Sequence, residues 1–188
     1  MDWKPYNLAG SRMNGERAVI DPLTQASVTI AWIILLNKPF YPLYVWYLAG
    51  NGVISSLATL IAAPFYLAIP LIAHRSSLAA RVALPVIGTL DTLFETKLFG
   101  QGSGTELFFA ACIMLAALSF RDQERWWQRG VAVVVFGVFM ISRSSAGSPL
   151  YHWSDQDLAA FFNLNTFAAA SLTTFIALRY AGSRDRGT

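Results

Sequence analysis

Long apolar stretches alternate with short polar ones along most of the chain. Charges and turn residues divide them into six: 26–48, 50–73, 81–99, 105–120, 130–141 with an extension toward Ala146, and 158–180. A helix needs ~20 mostly apolar residues to cross the hydrocarbon of a bilayer. The pattern therefore predicts an all-α polytopic membrane protein, six transmembrane helices in a compact bundle. The stretch 50–73 holds no charge, and its Pro64 and Pro70 are tolerable because helices in lipid have neighbours that absorb the lost bonds. The stretch 26–48 is interrupted by Asn37-Lys38-Pro39. One kinked span is expected there; the competing arrangement is a short helix, a re-entrant turn and one overlong helix. Short connections favour antiparallel neighbours. No repeat or Pro/Gly/Ser-rich linker marks a second domain. The expected organisation is a polar N-terminal segment over 1–25, a helical domain over 26–180 and a polar tail over 181–188.

Composition narrows the class further. Of 188 residues, 55% are hydrophobic and 13% charged, with a mean hydropathy of +0.45, whereas a soluble domain carries about a quarter charged residues. Disorder, a coiled coil and a basic nucleic-acid module are excluded, and the expected surroundings are the lipid bilayer. Segment 1–25 lacks the apolar run of a cleavable signal. The single cysteine, Cys112, can form no internal disulfide. With the N-terminus inside, six spans put eleven basic residues on inner segments (Lys4, Arg12, Arg17, Arg75, Arg81, Arg121, Arg125, Arg129, Arg179, Arg184 and Arg186) against Lys97 and Arg143 outside. This positive-inside bias predicts both termini on the cytoplasmic side.

Charge inside an apolar stretch is the sharpest anomaly. Lys38 lies near the middle of the first stretch and Asp91 near the middle of the third, with Glu95 one helical turn beyond Asp91 on the same face. Such charges cost at least ~2.5–3.5 kcal/mol each on insertion scales and usually face the bundle interior in pairs. At 1.5 Å rise per residue, Lys38 and Asp91 come to within about 3 Å in depth, so the sequence predicts that they meet. The meeting serves either as a polar switch or ligand counter-ion, or as an ion pair that fixes helix register.

Other constellations are thinner. An outer acidic cluster of Glu95, Glu106, Asp155 and Asp157 could hold a divalent cation, or be a solvated rim. His74 and His152 fall on opposite sides, so neither a shared metal ion nor haem is expected, and no cofactor is. No G-x-S-x-G elbow, GxGxxG or Walker loop occurs, and no enzyme activity is expected. The run Gly100-Gln101-Gly102-Ser103-Gly104 reads as a tight turn rather than a phosphate cradle, because no strand precedes it and no Lys-Ser/Thr follows. Arg121, Arg125, Trp126, Trp127 and Arg129 form an inner loop suited to anionic lipid head groups or a docking partner. Asn163, Asn165, Thr166, Ser171, Thr173 and Thr174 offer hydrogen bonds between helices.

The run 66–75 (YLAIPLIAHR), then Leu84-Pro85-Val86-Ile87-Gly88-Thr89, then 104–109 (GTELFF) with an apolar helix after it, resembles the six-helix membrane anchors of bacterial class III adenylyl cyclases, found also before some histidine kinases. The likeness runs from Val28 to Tyr180. It implies a dimeric, receptor-like domain of the bacterial inner membrane, with both termini cytoplasmic, regulating an attached catalytic domain. No helical transducer or cyclase domain occurs before the last residue, Thr188. An anchor cut from a longer protein, or a free-standing relative working through partners, is therefore expected. The rival is an accessory structural subunit of a larger respiratory or photosynthetic membrane complex. A small transporter or channel is the weakest reading, since no inverted repeat appears.

Overall fold

The computed structural model describes residues 21–50, 52–145 and 148–184. The segment carrying Lys4, Arg12 and Arg17, and the tail residue Arg186, lie outside the described residues. Every regular element among the described residues is helical, with no strand.

The chain enters α1 (Pro22–Asn37) through Asp21, whose Oδ1 accepts from the amides of Leu23 and Thr24, both at 3.2 Å, with Pro22 in the first turn. A carboxylate cap satisfies the orphan amides of a helix start, and proline costs nothing there. At Lys38-Pro39 the ladder is interrupted, and α2 (Phe40–Ala49) follows. Both junction residues keep right-handed helical dihedrals, so the chain bends and continues. This is the kinked span; the re-entrant alternative does not form. Pro39 has no amide to give, which opens the ladder at that point.

The second span starts with the single turn α3 (Val53–Ser56), tightens into a 3-10 segment at Leu57–Ala62 and becomes α4 (Ala63–Ala73). Pro64 sits in the first turn of α4, where its missing amide is not needed. Ser76 caps α5 (Ser77–Phe99) by accepting from the amide of Ala79. Two short 3-10 turns lead to α6 (Phe108–Leu118). Gly104 between them has φ +74°, and a Cβ there would stand 2.9 Å from the Phe162 ring, so glycine is required for both reasons. The glycine-rich run is thus a turn folded beneath the final helix.

Two boundaries differ from the hydrophobic pattern. Helix α7 (Arg125–Ser145) begins five residues before the fifth apolar stretch, so Arg125, Trp126, Trp127 and Arg129 lie on its first turns rather than in a loop. Helix α8 (Asp155–Arg184) outruns the sixth stretch at both ends. Its start is fixed by Ser154 and Asp157: the serine hydroxyl accepts from the Asp157 amide at 3.1 Å, and the Asp157 carboxylate accepts from the Ser154 amide at 3.2 Å. This reciprocal box satisfies two orphan donors.

Four segments are long and apolar enough to cross a membrane: Pro22–Ala49, Val53–Ala73, Ser77–Phe99 and Asp155–Ser183. The apolar helix Thr105–Leu118 is shorter, and α7 carries Arg125, Arg129 and Arg143. Large apolar side chains cover the outside, including Tyr47, Ile54, Ile61, Phe65, Leu71 and Phe167. Such a surface is compatible with lipid as the outer solvent. Inside, one core joins Ile30, Tyr66, Ile69, Leu84, Leu115 and Ile176 from five helices.

Candidate functional site

Lys38 is placed by the kink. Its amide still bonds back to the Ile34 carbonyl at 3.1 Å, closing α1, while Pro39 turns the chain away. The side chain runs inward to α5. Asp91 and Glu95 are one turn apart there and so present both carboxylates to one face. The Lys38 Nζ sits 2.7 Å and 2.6 Å from the two Asp91 oxygens and 2.6 Å from Glu95 Oε1. Tyr66, from α4, donates its hydroxyl to Asp91 Oδ2 at 3.0 Å, and the ammonium stands 5.9 Å from the Tyr66 ring centre. All four residues are buried. Gly88, one turn before Asp91, makes room behind them: a Cβ there would lie 3.2 Å from Cys112 Sγ and 3.7 Å from Tyr66 Oη.

Lys38 therefore joins both acids that the sequence singled out, and Tyr66 completes the group. The tyrosine was not singled out, although the sequence carries a signal for it. Other tyrosines gather near span ends, whereas Tyr66 lies inside the charge-free 50–73 stretch, where a buried hydroxyl must find an acceptor.

The arrangement is unequal in charge. One ammonium faces two carboxylates, so with all three ionised the group carries one net negative charge. Asp91 is engaged at both oxygens, by Lys38 and Tyr66. Glu95 is held at Oε1 by Lys38.

The group forms part of the wall of a half-open cavity of about 830 Å³. Asn37 and Tyr41 continue the wall along α1 and α2, Cys112 and Leu115 close it from α6, and Ala168 and Ser171 from α8. Two further lining residues, Phe40 and Phe167, are exposed on the outer surface. The lining is mainly apolar, with the polar groups gathered at the triad side. The volume falls within the ~300–1,000 Å³ of small-molecule sites.

A second polar network ties the opposite end of the bundle. Arg81, from the start of α5, bonds Glu124 Oε1 at 2.6 Å and the carbonyls of Ser77 and Ser119 at 3.3 Å and 3.4 Å. Arg121 lies 3.5 Å from Asp21. The Tyr180 hydroxyl is 2.8 Å from the Ser27 hydroxyl and 2.7 Å from that of Ser119. The start of α1, the α4–α5 turn, the α6–α7 connection and the end of α8 are thereby joined. Burial tends to raise the Asp21 carboxyl, but bonds from Thr24 and the Arg81 and Arg121 charges outweigh it and hold Asp21 below its ordinary value.

The outer acidic cluster does not form. Glu95 is turned inward to Lys38, Glu106 pairs with Arg143 at 2.6 Å, and Asp157 is spent on the Ser154 cap. Asp155 stands in the first turn of α8. Among the described residues no group of His, Cys, Asp or Glu could hold a metal ion. Glu95, Glu106 and Asp157 each have a partner on their own or another segment. At the start of α7, Trp126 and Trp127 are exposed and the Arg129 guanidinium stands 5.2 Å over the Trp126 ring. Arg121 is engaged with Asp21, and Arg125 is exposed. Among the polar residues of the last stretch, Asn165 bonds across helices, to the Ser103 carbonyl at 2.9 Å and Tyr41 at 3.2 Å. Thr166 and Thr173 instead bond back within α8.

Comparison with family models, with curated proteins and with solved structures finds no match for this chain.

Proposed function

We propose that this chain is a receptor-like membrane domain of the cyclase-anchor type, acting through helix contacts with itself or with a partner protein and carrying out no catalysis. In this reading it crosses the bacterial inner membrane six times, with α6 and α7 as the short and the arginine-flanked crossings, and keeps both termini in the cytoplasm. The observation that carries the reading is the Lys38, Asp91 and Glu95 group set into the wall of a half-open cavity. Three charged groups beside a cavity suit a ligand-responsive site better than a purely structural bundle, since buried ion groups stabilise a fold little more than apolar packing of the same volume. The orientation is supported by Arg75, Arg81, Arg121, Arg125, Arg129 and Arg179, which fall at the end tied by the Arg81 network. The resemblance in order and spacing of 66–75, 84–89 and 104–109 supports the cyclase-anchor comparison.

The test is recovery from native membranes in mild detergent, with the mass of the particle measured. A homodimer, or a complex with a signalling enzyme, is the expected result. A fixed stoichiometric assembly with respiratory or photosynthetic subunits would replace this reading with that of an accessory subunit. Orientation has its own check: a cysteine at the exposed Ala181 in a Cys112→Ala background should react with an impermeant thiol reagent only after lysis, and one at the exposed Ser148 in intact cells.

A further inference from the structure

We propose that the cavity binds a single-chain amphiphile with a protonated amine head, whose ammonium pairs with the Glu95 carboxylate. The inference rests on the receptor reading only in treating the cavity as a ligand site.

Three observations fix the chemistry. The first is charge. With both acids ionised, Lys38 balances one carboxylate of the two it touches, and a second cation would balance the other. The second is an acceptor. Glu95 is 9% exposed and its carboxylate lines the cavity. An ammonium with N–H donors can pair with that carboxylate through a charge-assisted hydrogen bond, and the Tyr41 hydroxyl on the same wall offers a further polar contact. The third is the rest of the lining. Leu115, Leu164, Ala168 and Phe175 are apolar, and Phe40 and Phe167 reach the outer surface of the bundle. A ligand arriving from lipid would place its chain along these residues and its head at the triad.

Other occupants fit less well. A fatty acid would bring a third carboxylate beside two. A divalent cation would have to displace Lys38, which already fills the position between the acids. A neutral alcohol could fill the apolar part but would leave the extra charge uncompensated.

Binding of radiolabelled dodecylamine to the full chain in nanodiscs, measured over empty nanodiscs at neutral pH, tests this. Dodecanol and dodecanoate serve as competitors. Saturable dodecylamine binding is expected, with dodecanol and dodecanoate each at least about tenfold weaker, which corresponds to ~1.4 kcal/mol. Glu95→Gln should abolish the preference for the amine while leaving the Lys38–Asp91 pair intact. If that variant does not fold, Ala168→Phe, which fills the cavity away from the charges, should block dodecylamine instead. Equal binding of amine and alcohol would overturn the proposal, as would preference for dodecanoate, or undiminished amine binding in Ala168→Phe. None of these results bears on the dimer or the orientation, so failure here is distinct from failure of the receptor reading.

Discussion

Two ion networks of this bundle are built to opposite rules. At one end, Arg81 and Arg121 meet Glu124 and Asp21, two charges of each sign. The Arg81 guanidinium also reaches two backbone carbonyls, and the Tyr180 hydroxyl lies between two serine hydroxyls. Nothing there borders the large cavity. In the middle of the bundle, Lys38 faces two acids and the cavity lies alongside. A balanced and fully bonded network holds helix ends in one arrangement. An unbalanced one beside a cavity suits the ligand site proposed above. The two differ as a clamp differs from that proposed sensor.

The strongest way to break the comparison is to remove the lysine. Lys38→Met leaves two carboxylates at one buried point with no counter-charge, and removing one partner of a buried pair costs ~3–5 kcal/mol. A large fall in melting temperature in detergent, or failure to accumulate in membranes, is expected. Asp91→Asn should cost much less, because a one-to-one Lys38–Glu95 pair survives it. The triple change Lys38→Met, Asp91→Asn, Glu95→Gln should recover much of the loss of the single Lys38 variant. If the triple variant melts no higher than Lys38→Met, the three residues do not act as one electrostatic unit and the sensor assignment falls.

The matching change in the clamp is Arg81→Met. It removes bonds to Glu124 and to two carbonyls, at about 2–3 kcal/mol for a hydrogen-bonded charged group. The stranded Glu124 is partly exposed and can take water, so the loss should be smaller than for Lys38→Met. Melting curves on the two single variants give the order directly. The reverse order would mean that the Arg81 end, not the triad, contributes the larger charge stabilisation.

A milder probe of the clamp is Tyr180→Phe. It removes one hydroxyl and both of its hydrogen bonds, to Ser27 and Ser119, and should cost ~1–2 kcal/mol at two neutral bonds. A thermal melt detects it. Dodecylamine binding should not change, since Tyr180 is not among the cavity residues. A variant that melts normally but binds the amine differently would show that the two networks are coupled.

How each network could be read from sequence follows from the same contrast. Lys38, Asp91 and Glu95 stand out because charges in apolar stretches are conspicuous and expensive, and their depths along the helices nearly coincide. The Arg81 network is hidden, because Arg81, Arg121 and Glu124 sit where polar residues are ordinary; only folding shows that Arg81 is 2% exposed. The cavity has no sequence signature. It arises from how α1, α2, α5, α6 and α8 fail to close on one another, which no single segment encodes. The acidic rim fails for a related reason: the order of residues shows that four acids reach neighbouring span ends, but not that Ser154 and Arg143 would claim Asp157 and Glu106 first. Ser154 did carry a local signal, since a serine three residues before an aspartate is a helix-start pattern.

The smallest expected effect concerns acid. Asp21 is held below its ordinary value of 3.8 in the folded chain, by Thr24 and by the Arg81 and Arg121 charges acting against burial. In the unfolded chain the same carboxyl takes its proton near 3.8. Between these two values the unfolded state binds more protons, so stability falls as the pH falls through that window. The contribution is fully present above the unfolded value and is gone below the folded one. Asp21→Asn removes the titrating group, and its hydroxyl-bonded carboxylate with it. The variant should therefore be less stable than the parent at pH 6, and the gap between them should narrow as the pH is lowered through 3.8 and beyond. Paired melts in detergent at pH 6, 4 and 3 measure that gap. Arg121→Gln should shrink the same gap at pH 6, because it takes away one of the charges that hold Asp21 ionised. A gap independent of pH would mean that the Asp21 cap contributes through geometry alone, and that the Asp21–Arg121 contact adds no charge stabilisation to the clamp.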